Sequence, residues 1–133
     1  CFLRPKQEWV SAKTQAQQLQ LKSSSLKQSV KNLSGGNQQK VVIAKWIETN
    51  PKVLLLDEPT KGVDIGAKHE IYELMNKWTH AGMAVVFITS EMPELLGMSD
   101  RILVMHRGQI TAEFIRQQAN SEVILKAAMG ERN

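Results

Sequence analysis

Cysteine is almost missing from this 133-residue chain, which has a single one, at position 1. One thiol excludes a disulfide framework and a zinc site built on several cysteines; it fits a reducing cytoplasm. Long apolar runs are missing too. The longest is 83–88, six residues, against the roughly 20 that a bilayer-spanning helix needs. The opening Cys1-Phe2-Leu3-Arg4-Pro5 lacks the charged-then-apolar order of a secretion signal. Beginning with Cys rather than Met, it leads us to expect a piece of something longer. Acid is scarce in the first quarter: residues 1–33 hold six basic residues and only Glu8, whereas residues 34–133 hold eleven basic and twelve acidic ones. The formal +4 is therefore a local excess. With aromatics at 5% and no stacking platform among the lysines, we read that excess as a solvated helical face and expect no nucleic-acid partner. What is present, 42% hydrophobic and 23% charged residues, is an ordinary globular composition. It suffices for one core and is too short for two full domains.

Periodicity supplies the elements. Trp9, Ala12, Ala16 and Leu19 recur at helical spacing over 6–21, and Ser23-Ser24-Ser25 interrupts the pattern. Ser34-Gly35-Gly36 opens a second helix that Asn50-Pro51 ends, with Val42, Ile43, Trp46 and Ile47 as its apolar stripe. Val53-Leu54-Leu55-Leu56 and residues 83–89 read as strands buried on both faces, as in a parallel sheet. Between them Ile71, Leu74, Met75 and Trp78 mark a helix over 67–80. Strand, helix and strand form a right-handed crossover unit. A short helix over 92–96 follows, then a hairpin of 102–105 and 109–114 about Arg107-Gly108. A last helix, 121–129, is capped by Asn120, packed by Val123, Ile124, Ala127 and Ala128, and stopped by Gly130. Trp46 and Trp78 are expected in the core. His69, His80 and His106 are expected to be solvated or capping.

Two strings carry chemistry. Asp57 and Glu58 lie just past a buried strand, at the edge where open α/β sheets bind ligands. There an aspartate can help hold Mg²⁺ on nucleotide phosphates, and a neighbouring carboxylate can polarise a water. The residues alone fit two solvated acids in a turn equally well. Leu33-Ser34-Gly35-Gly36-Asn37-Gln38 puts a hydroxyl and two glycines at a helix start, where free N–H groups favour phosphate and glycine permits close backbone approach. Alone, it fits a serine-capped helix after a tight turn.

Together, in this order and spacing, the strings resemble the ABC-type ATPase family. Leu33–Gln38 is similar to its signature, 53–58 to its Walker B, and Lys61-Gly62-Val63-Asp64 to its D-loop. The longer strings 32–40, 57–68 and 90–101 resemble one branch, the second ATPase half of bacterial monosaccharide importers of the ribose, galactose and xylose type. The likeness covers roughly residues 20–130.

The resemblance implies an α/β fold: a partial P-loop NTPase core with parallel strands, a C-terminal β-hairpin and part of the helical subdomain. Residues 1–50 would be the helical-subdomain segment and 51–133 the back half of the core. It implies ATP and Mg²⁺ as cofactors. Ser34, Gly35, Gly36, Asn37, Gln38 and Asp64 would be nucleotide-binding, Asp57 a metal ligand, and Glu58 and Ser90 catalytic. Ser90 departs from the pattern. It stands where the family carries a histidine on the γ-phosphate, and a serine is shorter and cannot become cationic. No G-x-x-x-x-G-K-[ST] occurs, so a phosphate-cradling loop is missing, and the chain is expected to be the C-terminal part of one nucleotide-binding domain. In the family two such domains pack head to tail, so this signature would complete a site on the partner half. Expected partners are that second domain, transmembrane permease subunits and, indirectly, a sugar-binding protein, at the cytoplasmic face of the membrane. A catalytically impaired half and a soluble non-transport ATPase are the alternatives.

Overall fold

The computed structural model describes residues 5–131; Cys1 and the opening string 1–4 lie outside them. The described chain forms two compact units, one running to Ile88 and the other starting at Thr89.

In the first unit, α1 (Pro5–Gln18) is followed by a loop with one turn of 3₁₀ helix at Val30–Asn32. Helix α2 (Gly35–Ile47) comes next, then strand β1 (Val53–Asp57), helix α3 (Ile65–His80) and strand β2 (Ala84–Ile88). Helix α2 ends where Asn50 enters the left-handed region at φ 50°, a conformation asparagine tolerates better than most residues, and Pro51 forbids a further turn. The strands pair in parallel, with Leu54 beside Val85 and Leu56 beside Phe87. Helix α3 crosses between them and lies against β2 and α2. The core is Leu19, Ile43, Leu54, Leu56, Ile71, Leu74 and Met75.

Two expectations fail here. The strands are covered on one face only: Leu54 and Leu56 are buried, while Leu55 is 72% exposed and Val53, Val86 and Ile88 are exposed beside it. A run of aliphatics does not reveal whether one face or two will find a partner. Trp46 is exposed, because α2 turns Ile43, three residues earlier, to the core instead, and Trp78 is half-buried. On α1 no residue is buried. Leu19 is, but it lies just past the helix end, where Gln20 turns the chain at φ 49°. Helix α1 is tied to α2 instead by polar contacts: Ser11 Oγ and Gln15 Nε2 both donate to the Glu48 carboxylate, and these bonds hold the Glu48 carboxyl below its ordinary pKa.

The second unit comprises α4 (Met92–Met98), the antiparallel pair β3 (Arg101–His106) and β4 (Gln109–Ile115), a 3₁₀ turn at Arg116–Gln118, and α5 (Ser121–Ala128). The hairpin turns on Arg107 and Gly108, both at positive φ, 48° and 78°, as a two-residue loop of the primed type requires. Its core is Ile102, Val104, Phe114, Ile124 and Ala127, with Met92, Leu95 and Leu96 of α4 packed against it. The histidines are capping or solvated, as expected. The His106 Nδ1–H donates to the Ala128 carbonyl at 2.8 Å and that of His80 to the Asn76 carbonyl at 2.7 Å. His69 is exposed, 3.5 Å from Glu73.

Candidate functional site

Strand β1, buried on one face only, delivers Asp57 and Glu58 to its C-terminal end. Asp57 is exposed, Glu58 half-buried, and the following Pro59 and Thr60 are buried and anchor the turn. Glu58 has φ 45°, a region that residues other than glycine rarely adopt. The conformation is held from both sides. Its N–H donates to the Ile88 carbonyl at the end of β2 at 2.9 Å, and its own carbonyl accepts from the Lys61 N–H at 3.1 Å. Strained backbone over-determined by its surroundings clusters at functional turns, and the C-terminal edge of a parallel sheet is where ligands bind in open α/β folds.

The turn leads to Asp64, which caps α3. Its Oδ1 accepts from the Ala67 N–H at 2.9 Å. Asp64 remains exposed.

The other string lies in the same unit. Ser34 takes the N-cap position of α2 without making a side-chain cap bond. Its Oγ instead accepts from Asn37 Nδ2 at 2.8 Å, and Asn37 Oδ1 accepts from the Lys22 N–H at 2.9 Å. Gln38 Nε2 donates to the Leu33 carbonyl at 2.9 Å. The side chains of Asn37 and Gln38 thus shape the turn, and Ser34 and Gly35 stay exposed at the helix start. The two glycines differ. Gly36 is buried, while Gly35 lies on the surface, where an added Cβ would sit an ordinary 3.7 Å from the Gly62 carbonyl oxygen.

Sequence reasoning missed the ion cluster beneath this turn. Lys40, on α2, is 1% exposed. Its Nζ lies 2.5 Å from Glu70 Oε2 of α3 and 3.3 Å from the Gln20 carbonyl. Lys22 Nζ reaches the other oxygen, Oε1, at 2.8 Å. The two lysine hydrogen bonds, that of Lys22 first, lower the Glu70 carboxyl from 4.5 to about 2. The only signal available was an ionisable residue on the core side of an amphipathic helix.

Ser90 belongs to the second unit, where it is exposed just before α4. Beside it, Thr89 Oγ1 donates to the buried Glu94 at 2.7 Å and accepts from the Glu91 N–H at 3.1 Å. Among the described residues no three His, Cys, Asp or Glu side chains gather as a self-sufficient metal site. Among the described residues no helix is long and apolar enough to cross a membrane.

The arrangement can therefore offer backbone N–H groups and a hydroxyl at one helix start, and one or two carboxylates at a strand end. Comparisons with known proteins identify the family. Residues 4–61 match the family model described as "ABC transporter". The chain is 51% identical over 129 residues to the ribose import ATP-binding protein RbsA of Oceanobacillus iheyensis, covering 97% of this chain and 26% of that protein. It is 56% identical over 119 residues to the xylose import ATP-binding protein XylG of Thermoanaerobacter pseudethanolicus, covering 90% of this chain and 24% of that protein. It thus spans about a quarter of the length of these curated relatives. Among solved structures, an ATP-binding cassette of an ABC transporter superposes with a TM-score of 0.81 at 26% identity, over 96% of this chain and 52% of that one. A dimeric cassette in a post-hydrolysis state with ADP and Pi gives 0.76 at 25% identity, over 87% and 50%. In sequence and in fold alike, the chain belongs to the ABC transporter family.

Proposed function

We propose that this chain is the C-terminal part of a nucleotide-binding domain in the ATP-binding subunit of a sugar importer, and that its signature completes an ATP site held mainly by a partner domain. Residues 1–50 are then the helical-subdomain segment and 51–133 the back half of the core. The observation that carries the reading is one compact unit that fixes the exposed Ser34-Gly35 start of α2 and, separately, the Asp57–Glu58 turn at the end of β1.

On this reading Ser34, Gly35, Gly36, Asn37 and Gln38 form the wall that meets the partner's ATP. Ser34 and the free N–H groups of α2 offer hydrogen bonds to phosphate, favoured further by the helix dipole. Asp57, Glu58 and Ser90 serve the ATP of their own half, and Asp64 is nucleotide-binding. Asp57 would hold Mg²⁺. The donor set fits, since this metal keeps several waters and takes one or two carboxylates together with phosphate oxygens; when bound, the ion neutralises developing phosphate charge. Glu58 would polarise the attacking water. Ser90 supplies no cation there. That favours an asymmetric pair, in which the site completed by Ser34–Gln38 hydrolyses ATP and the site at Glu58 is impaired.

The subunit would work at the cytoplasmic face of the membrane with transmembrane permease subunits, and through them with a sugar-binding protein. The names of the relatives, import proteins for ribose and for xylose, support this class of cargo.

The purified 133-residue chain is expected to show no ATP hydrolysis above background, because it has no glycine-rich phosphate cradle. Sustained turnover by that chain would contradict the proposal.

A further inference from the structure

Gly36 differs from Gly35 in what surrounds it. A Cβ on Gly36 would lie 2.3 Å from the Ala67 Cβ and 3.7 Å from its Cα, whereas carbon atoms sit comfortably at 3.5–4.0 Å. Ala67 is in the first turn of α3, and its N–H is the one that Asp64 caps. The start of α2 therefore rests directly on the residue that fixes Asp64. One turn further along both helices, Lys40 of α2 meets Glu70 of α3. Glu70 also holds Lys22, whose N–H holds Asn37, which holds Ser34. A steric contact and an ionic one thus join the same two helices.

We propose that Gly36, Ala67 and Glu70 are positioning residues that lock the Ser34–Gln38 turn to the Asp64 turn as one rigid piece. Gly36 is then glycine because α3 leaves no room for a Cβ; it lends the wall its backbone alone, and close approach of nucleotide depends on the missing side chain at Gly35. The inference rests on the reading that this turn completes an ATP site. It adds that the Ser34–Gln38 turn and the Asp64 turn cannot shift independently, because an ångström of displacement at one helix start is carried to the other.

The test uses the full-length polypeptide that carries this segment, with ATP turnover measured well below the melting range and thermal midpoints measured without nucleotide. Gly36→Ala is expected to lower kcat about tenfold or more, as small misplacements of positioning groups do, with KM for ATP within about twofold and a lowered midpoint. Adding Ala67→Gly removes the colliding carbon, and the double variant is expected to return to within about threefold of the wild-type kcat. A double variant as slow as Gly36→Ala would overturn the proposal, because the added methyl would then act on the nucleotide side. So would a lowered midpoint with unchanged kcat, which is what a merely structural glycine gives. Should Gly36→Ala not fold, Glu70→Gln cuts the ionic contact without steric load. A fall in kcat at constant KM supports the lock, and an unchanged kcat overturns it. Failure of the underlying reading looks different: the wild-type polypeptide itself would not hydrolyse ATP.

Discussion

Glu70 accepts from Lys22 on one oxygen and from the buried Lys40 on the other, and this sets the pH behaviour of the first unit. Its carboxyl, lowered from 4.5 to about 2, contributes stability that is fully present above the unfolded value and lost as pH falls toward the folded one. Acid titration of the unfolding midpoint should therefore show a decline between about pH 4.5 and 2 that Glu70→Gln flattens; an unaltered profile in the variant would contradict the ion cluster. Lys40 shows why such residues escape a reading of sequence. A lysine on an amphipathic helix is ordinarily a solvated charge, and its burial is decided by a carboxylate thirty residues away. The acids at 57 and 58 were legible because a short aliphatic run ends abruptly in charge. The left-handed backbone at Glu58 was not, since nothing in the residue type calls for it.

At the scale of elements, caps and turns were the most legible features. Asn120 Oδ1 accepts from the Glu122 and Val123 N–H groups at 3.0 and 3.1 Å, two donors that the eight-residue α5 cannot satisfy internally. Asn120→Ala should cost about 1 kcal/mol of stability in the second unit, measurable as a lower denaturant midpoint; an unchanged midpoint would show the cap to be dispensable. Arg107-Gly108 likewise announced the hairpin, and Asn50-Pro51 the end of α2. Strand coverage was illegible. Val53–Leu56 reads the same whether one face is covered or two, and only one is. The face of α2 was misread for a related reason: Trp46 fits an apolar stripe, but tertiary contacts select Ile43 as the residue to bury. The register shift at Val104/Met105 in the hairpin has no counterpart in the composition of those strands.

At the scale of the whole molecule, the segment spans about a quarter of its curated relatives and leaves an apolar sheet face, Val53, Leu55, Val86 and Ile88, uncovered. So large an uncovered apolar face is unusual for a complete domain and accords with the proposed reading of the chain as part of a nucleotide-binding domain. The central claim concerns that assembly: Ser34–Gln38 serves the hydrolysing site, and Glu58 the impaired one. The direct measurement is ATP turnover by the full-length polypeptide carrying Ser34→Arg or Glu58→Gln. Ser34→Arg puts a long cation where a phosphate wall is required and should reduce turnover by about two orders of magnitude, the scale of losing a key transition-state contact. Glu58→Gln should cost far less. Equal losses from the two substitutions would contradict the account, because the two sites would then be equivalent.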